Sequence, residues 1–128
     1  MEQQLLLLLD GLLYPSESDE PVQLLSQPRV LKGKVTSLDF AHLFGVEVGK
    51  RVVERDPEHF WSPVNYDQEW YGDEEMDRTA RFLEIRQIFE QKLTDIQYFE
   101  TGEVENGLYL LGYTEEKIIA IKSTAVRT

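Results

Sequence analysis

No cysteine occurs among the 128 residues, which excludes a disulfide framework, a thiolate zinc site and a cysteine nucleophile. Histidine is nearly as scarce. His42 and His59 are the only two, and so the only side chains whose ordinary pKa suits a general base near neutral pH. Basic residues are in deficit, 13 Lys and Arg against 24 Asp and Glu, for a formal net charge of −11 and a pI near 4.6. A surface of that sign repels nucleic acid and anionic lipid and speeds encounter with a basic partner. Acidity is common enough among soluble proteins that it decides nothing by itself. Long apolar runs are also missing. Leu5 to Leu9 is flanked by Glu2 and Asp10, is far too short to cross a bilayer, and lacks the basic flank and small-residue cleavage site of a signal peptide. These features predict a cytoplasmic protein that binds neither membrane nor nucleic acid.

The length fits one domain, residues 1–128, able to bury a core without staples. Gln3 to Leu13 is apolar almost all round, which predicts a helix buried between layers and ended by Tyr14-Pro15. SESDEP, Ser16 to Pro21, reads as a polar loop, and Val22 to Leu25 as a short apolar strand stopped at Gln27-Pro28. Thr36-Ser37-Leu38-Asp39 has the shape of a capping box and predicts a helix from Ser37 to Phe44, stopped by Gly45.

Between Val46 and Tyr71 periodicity is poor, while Phe60, Trp61, Tyr66, Trp70 and Tyr71 concentrate the aromatics. Long irregular segments in compact domains are often functional. From Asp73, apolar residues at Phe82, Ile85, Phe89 and Leu93 predict a long helix, with Glu74–Arg78 and Asp77–Arg81 as outward i,i+4 pairs. Ile96 to Phe99, Gly107 to Tyr113 and Lys117 to Ala125 read as strands, with Asn106-Gly107 a type I′ hairpin signal. Strands gathered after helices indicate an α+β fold with a largely antiparallel sheet.

Catalytic chemistry is thin. His42 lies within the capped helix and reads as structural, and a metal site at His59 with Asp56 and Glu58 is the kind of cluster an acidic chain forms by chance. No nucleophile elbow or phosphate-cradling glycine loop is present. The sequence therefore assigns no catalytic residue, no cofactor and no metal of its own.

The stretch DQEWYGDEE, Asp67 to Glu75, is the most unusual, because it places Trp70 and Tyr71 among five carboxylates. Asp73, Glu74 and Glu75 are explained by the positive end of the helix they begin. Trp70 has two readings: a staple between the helix start and the core, or an exposed anchor for a protein partner, ringed by acids that attract a basic surface.

Taken together, DGLLYPSESDEP (Asp10 to Pro21), EWYGDEE (Glu69 to Glu75), GEVENGLYLLGYT (Gly102 to Thr114) and IKSTAVRT (Ile121 to Thr128) resemble the nuclease A inhibitor family. The resemblance spans most of the chain and is weakest from Val22 to Pro63. It implies a non-enzymatic inhibitor of a sugar-nonspecific, magnesium-dependent DNA/RNA endonuclease, monomeric when free. The fold it implies is an α/β/α sandwich of the pathogenesis-related-1 type. The positions matching the family's contact residues are Glu17, Glu69, Trp70 and Thr128, the last reaching the partner's magnesium. Two positions depart from the family pattern: Glu69 stands where an aspartate is expected, and Arg127 where an acid is more typical. The rival expectation is a protein-interaction or ligand-binding domain of the same fold with a different target.

Overall fold

The computed structural model describes residues 1–29 and 32–126. Along the chain run α1 (Glu2–Leu9), β1 (Leu13–Tyr14), β2 (Glu20–Pro21), β3 (Gln23–Pro28), α2 (Ser37–Leu43), β4 (Val52–Arg55), α3 (Glu58–Trp61) and α4 (Asp73–Lys92). Three long strands follow: β5 (Thr94–Thr101), β6 (Glu105–Tyr113) and β7 (Lys117–Val126). β1 and β2 form a small antiparallel pair. The other five strands make an open antiparallel sheet in the order β3-β7-β6-β5-β4, as the clustering of strand patterns predicted. Among the described residues no helix is long and apolar enough to cross a membrane.

The long strands carry apolar side chains on both faces, so both faces must be covered. Tyr98, Leu108, Leu110, Ile119 and Ile121 pack with Leu5 and Leu9 of α1, Phe60 and Trp61 of α3, and Phe82, Ile85 and Phe89 of α4. Their alternate neighbours Phe99, Tyr109, Leu111, Tyr113, Ile118 and Ala120 pack with Val35 and Phe40. Phe40, at the heart of α2, stacks on Phe99 with centroids 4.3 Å apart and meets Tyr109 edge-on at 4.9 Å. The capping box forms as read: Asp39 N–H donates to Thr36 Oγ1 at 3.1 Å, and Thr36 N–H to Asp39 Oδ2 at 3.4 Å.

The entry to α2 is pinned by a buried polar cluster. Gln97 Nε2 donates to Val35 O at 2.9 Å and to Glu54 Oε2 at 3.1 Å. Val35 N–H donates to Gln97 Oε1 and to the Tyr113 hydroxyl, which itself donates to Gln97 Oε1. Burial pushes the Tyr113 phenol above its ordinary pKa, opposed by the bond from Val35 and by Arg29.

Three sequence expectations are corrected. The first helix ends at Leu9, and only Leu5 and Leu9 of it are buried, with Leu6 and Leu7 55 % and 77 % exposed; it lies against one face of the sheet instead of between layers. Asn106-Gly107 is not the hairpin turn but the start of β6, pairing with Ala125 and Thr124. The turn falls at Gly102, whose φ of +77° suits glycine and whose absent Cβ would sit 2.6 Å from Glu105 O. Asn106 serves that turn through its side chain, with Nδ2 donating to Gly102 O at 2.9 Å and Thr101 O at 3.2 Å. The segment read as irregular contains β4 and α3, each four residues long.

Phe40 ties α2 to the sheet, so Phe40→Ala should lower unfolding stability by about 3–5 kcal/mol, the usual cost of emptying a core phenylalanine site. Urea titration checks this. A loss below about 1 kcal/mol would mean the site collapses freely and α2 is not held there.

Candidate functional site

Tyr14 fixes the β1–β2 hairpin. Its ring is buried against Phe60 at 5.1 Å and edge-on to Phe82 at 5.9 Å, and its hydroxyl donates to Phe60 O at 2.7 Å. The loop this hairpin carries, Pro15 to Asp19, is thereby held over the region where α3 and α4 meet. Inside the loop, Ser16 Oγ donates to Ser18 O at 2.5 Å and accepts Ser18 N–H at 3.2 Å, a short hydroxyl-closed turn with Glu17 at its exposed tip. Ser18 Oγ donates to Glu20 Oε1 at 2.7 Å.

β7 reaches the same place. Its pairing with β3 ends at Lys122, and beyond that point side-chain bonds to the hairpin take over. Ser123 Oγ donates to Pro21 O at 3.0 Å and Glu20 O at 3.3 Å, and Val126 N–H donates to Ser16 Oγ at 3.2 Å. A hollow of about 360 Å³ between these segments is lined by Ser16, Glu17, Pro63, Ala125 and Val126.

On the other side of Ser16 stands the aromatic pair. Tyr71 N–H donates to Gln68 O at 3.0 Å, turning the chain into α4, and Gly72 N–H is capped by Glu75 Oε1 at 3.1 Å. Trp70 is 72 % exposed and meets Tyr71 edge-to-face at 4.6 Å. The reading in which Trp70 staples the helix to the core is therefore overturned. Of the two helix pairs read from sequence, Asp77–Arg81 forms at 3.1 Å, while the Arg78 guanidinium lies over the Tyr71 ring at 5.4 Å. Trp70, Tyr71, Glu74 and Arg78 face Ser16 and Asp19 across a hollow of about 590 Å³.

The structure thus brings Glu17, Trp70 and the end of β7 around Ser16. Glu69 is exposed beside Trp70. Thr128 and Arg127 lie outside the described residues. Sequence reasoning singled out neither Ser16 nor Arg78. The serine's signal was the S-x-S spacing of a hydroxyl turn, whereas the arginine was assigned to a helix pair.

Neither histidine lines either hollow, and both are exposed. Among the described residues no group of three or more His, Asp or Glu side chains is placed to hold a metal ion. The buried carboxylate Glu100 is paired with Arg55 at 3.0 Å and accepts the Tyr98 hydroxyl at 2.7 Å, as a structural charge would be.

Comparison with curated proteins gives no match. A family model described as nuclease A inhibitor-like protein matches residues 1–128, the whole chain. With the sequence matched from end to end, the chain belongs to the nuclease A inhibitor-like family, which suggests the function of a nuclease inhibitor.

Proposed function

We propose that this protein inhibits a sugar-nonspecific, magnesium-dependent DNA/RNA endonuclease by occluding its active site, with Glu17, Glu69, Trp70 and Thr128 as the contact residues. The observation that carries the reading is the exposed Trp70 standing beside the Glu17 loop on which β7 ends. A nonspecific nuclease needs a basic groove for phosphates and a divalent ion at its centre. Exposed carboxylates complement such a groove, Trp70 supplies a large contact area of low conformational entropy, and a chain-terminal threonine offers hard oxygen donors to the ion. The inhibitor performs no chemistry of its own. The fold that goes with this reading is the α/β/α sandwich of the pathogenesis-related-1 type, and helices on both faces of the sheet are compatible with it.

The direct test is titration of the purified protein into a magnesium-dependent nonspecific nuclease while DNA cleavage is followed. Stoichiometric loss of cleavage is expected. Undiminished cleavage across a panel of such enzymes would favour an interaction domain with another target.

Trp70 and Trp61 separate recognition from folding. Trp70→Ala should weaken a responsive complex by ~2 kcal/mol or more, about thirtyfold, with the melting temperature nearly unchanged. Trp61→Ala, at a buried position, should instead cost about 3–5 kcal/mol of stability. A large fall in melting temperature for Trp70→Ala would count against the anchor.

Glu17→Ala should weaken inhibition through a lost charge interaction, so its effect should shrink as salt rises. An effect that is flat with ionic strength would argue against that role.

Deleting Thr128, or extending the chain with a C-terminal tag, should leave the fold intact and weaken inhibition at least about tenfold, ~1.4 kcal/mol. Equal inhibition by tagged and untagged protein would show that the chain end is not at the metal.

A further inference from the structure

We propose that Ser16 is a positioning residue for this surface, its hydroxyl coupling the Glu17 turn to the end of β7; the proposal rests on the inhibitor reading. A serine hydroxyl has one proton to donate and two lone pairs to accept with. Ser16 uses all three. It donates to Ser18 O at 2.5 Å, accepts Ser18 N–H at 3.2 Å, and accepts Val126 N–H at 3.2 Å from 110 positions away. The first two bonds close the turn around Glu17, and the third closes the strand end onto that turn.

The need for the third bond follows from the sheet. β3 covers the outer edge of β7 only as far as Lys122. Past that point no described strand pairs with the outer edge of β7, and an edge without a strand partner invites fraying or foreign pairing. Ser16 supplies a partner there for the Val126 N–H. Arg127 and Thr128 come next in the sequence after Val126. Holding Val126 therefore tethers the chain two positions ahead of Thr128, and it does so from the same atom that shapes the Glu17 turn. One side chain thus joins the Glu17 turn to the strand that leads toward Thr128, across more than a hundred residues of sequence.

The hairpin does not depend on this hydroxyl to stay folded. Tyr14 anchors its base to Phe60 and Phe82, and Ser123 ties Glu20 and Pro21 to β7 independently. Removing the Ser16 hydroxyl should therefore loosen geometry without unfolding the protein.

Three proteins test the coupling: Ser16→Ala, Ser16→Thr, which keeps a hydroxyl, and Ser16→Ala combined with deletion of Thr128. The first readout needs no nuclease. Hydrogen exchange of the Val126 amide, followed by NMR in the free full-length chain, should speed up at least about tenfold in Ser16→Ala, as for a locally opened strand end, and return toward the parent rate in Ser16→Thr. The second readout is inhibition of a nuclease that the parent protein inhibits. Ser16→Ala should weaken it about tenfold in the full chain and little further once Thr128 is deleted, the non-additivity expected of residues acting through one another.

Unchanged Val126 exchange in Ser16→Ala would overturn the coupling. So would equal losses with and without Thr128, or a large fall in melting temperature, which would make Ser16 a general stability residue. If the parent protein inhibits no nuclease, the inhibitor reading falls, and the exchange measurement alone still decides whether Ser16 holds the strand end.

Discussion

Everything about the site's location depends on the two-sided burial of three strands. Tyr98 and Phe99, Leu108 to Tyr113, and Ile118 to Ile121 present apolar residues to both faces of the sheet, and no single layer of helices satisfies them. One face is met by α2 through Phe40. The other is met by α1, α3 and α4, and there Tyr14 is drawn into the space between Phe60 and Phe82. Burying that one aromatic places the β1–β2 loop over the start of α4, where Trp70 and Tyr71 emerge. The proposed recognition surface is thus a by-product of how the core is closed, with Glu17 carried three positions from the buried Tyr14.

Two tryptophans nine positions apart show how local context assigns opposite fates to one residue type. Trp61 ends α3 and fills the core against Phe60 and Phe89, with Arg86 over its ring at 5.6 Å. Arg86 is held in turn by Glu58 at 2.8 Å and Glu90 at 3.3 Å, so its charge is balanced at the core's rim. Trp70 has no such enclosure. Its company is Tyr71, itself braced by Arg78. A cation resting on the ring beneath the exposed indole favours one arrangement of the pair at a cost far below that of building a core around it. An aromatic held this way loses less side-chain freedom on binding than one on a floppy loop.

Much of the fold was legible because it rests on short-range chemistry. The α2 capping box involves residues three apart, and the apolar stripe of α4 repeats within a turn. β4 and α3 were missed because four residues are too few to show a period, and each draws its stability from the neighbours it packs on. Asn106-Gly107 misled for a related reason: the dipeptide suits a tight turn, but Gly102 takes the positive φ and Asn106 caps that turn through its side chain. In the site, the identities of Glu17 and Trp70 could be proposed from motif order alone. Their neighbourhood could not. It is created by Tyr14 reaching Phe60 across 46 positions and by Ser16 meeting Val126 across 110, contacts for which no local pattern exists.

Charge and shape contribute differently to such a surface. A net charge of −11 raises the rate at which a basic partner arrives, and it does so for any basic partner. An exposed tryptophan likewise fits many apolar pockets. Neither feature discriminates alone. Discrimination requires that the carboxylate and the indole arrive at fixed separation, so that a wrong partner satisfying one leaves the other desolvated and unmatched. In this protein the contacts placed to hold that separation are those of the buried Tyr14, the hydroxyl-closed turn at Ser16 and the Tyr71–Arg78 brace. Under the inhibitor reading, specificity for one nuclease over another would then reside as much in these supporting side chains as in Glu17 and Trp70 themselves.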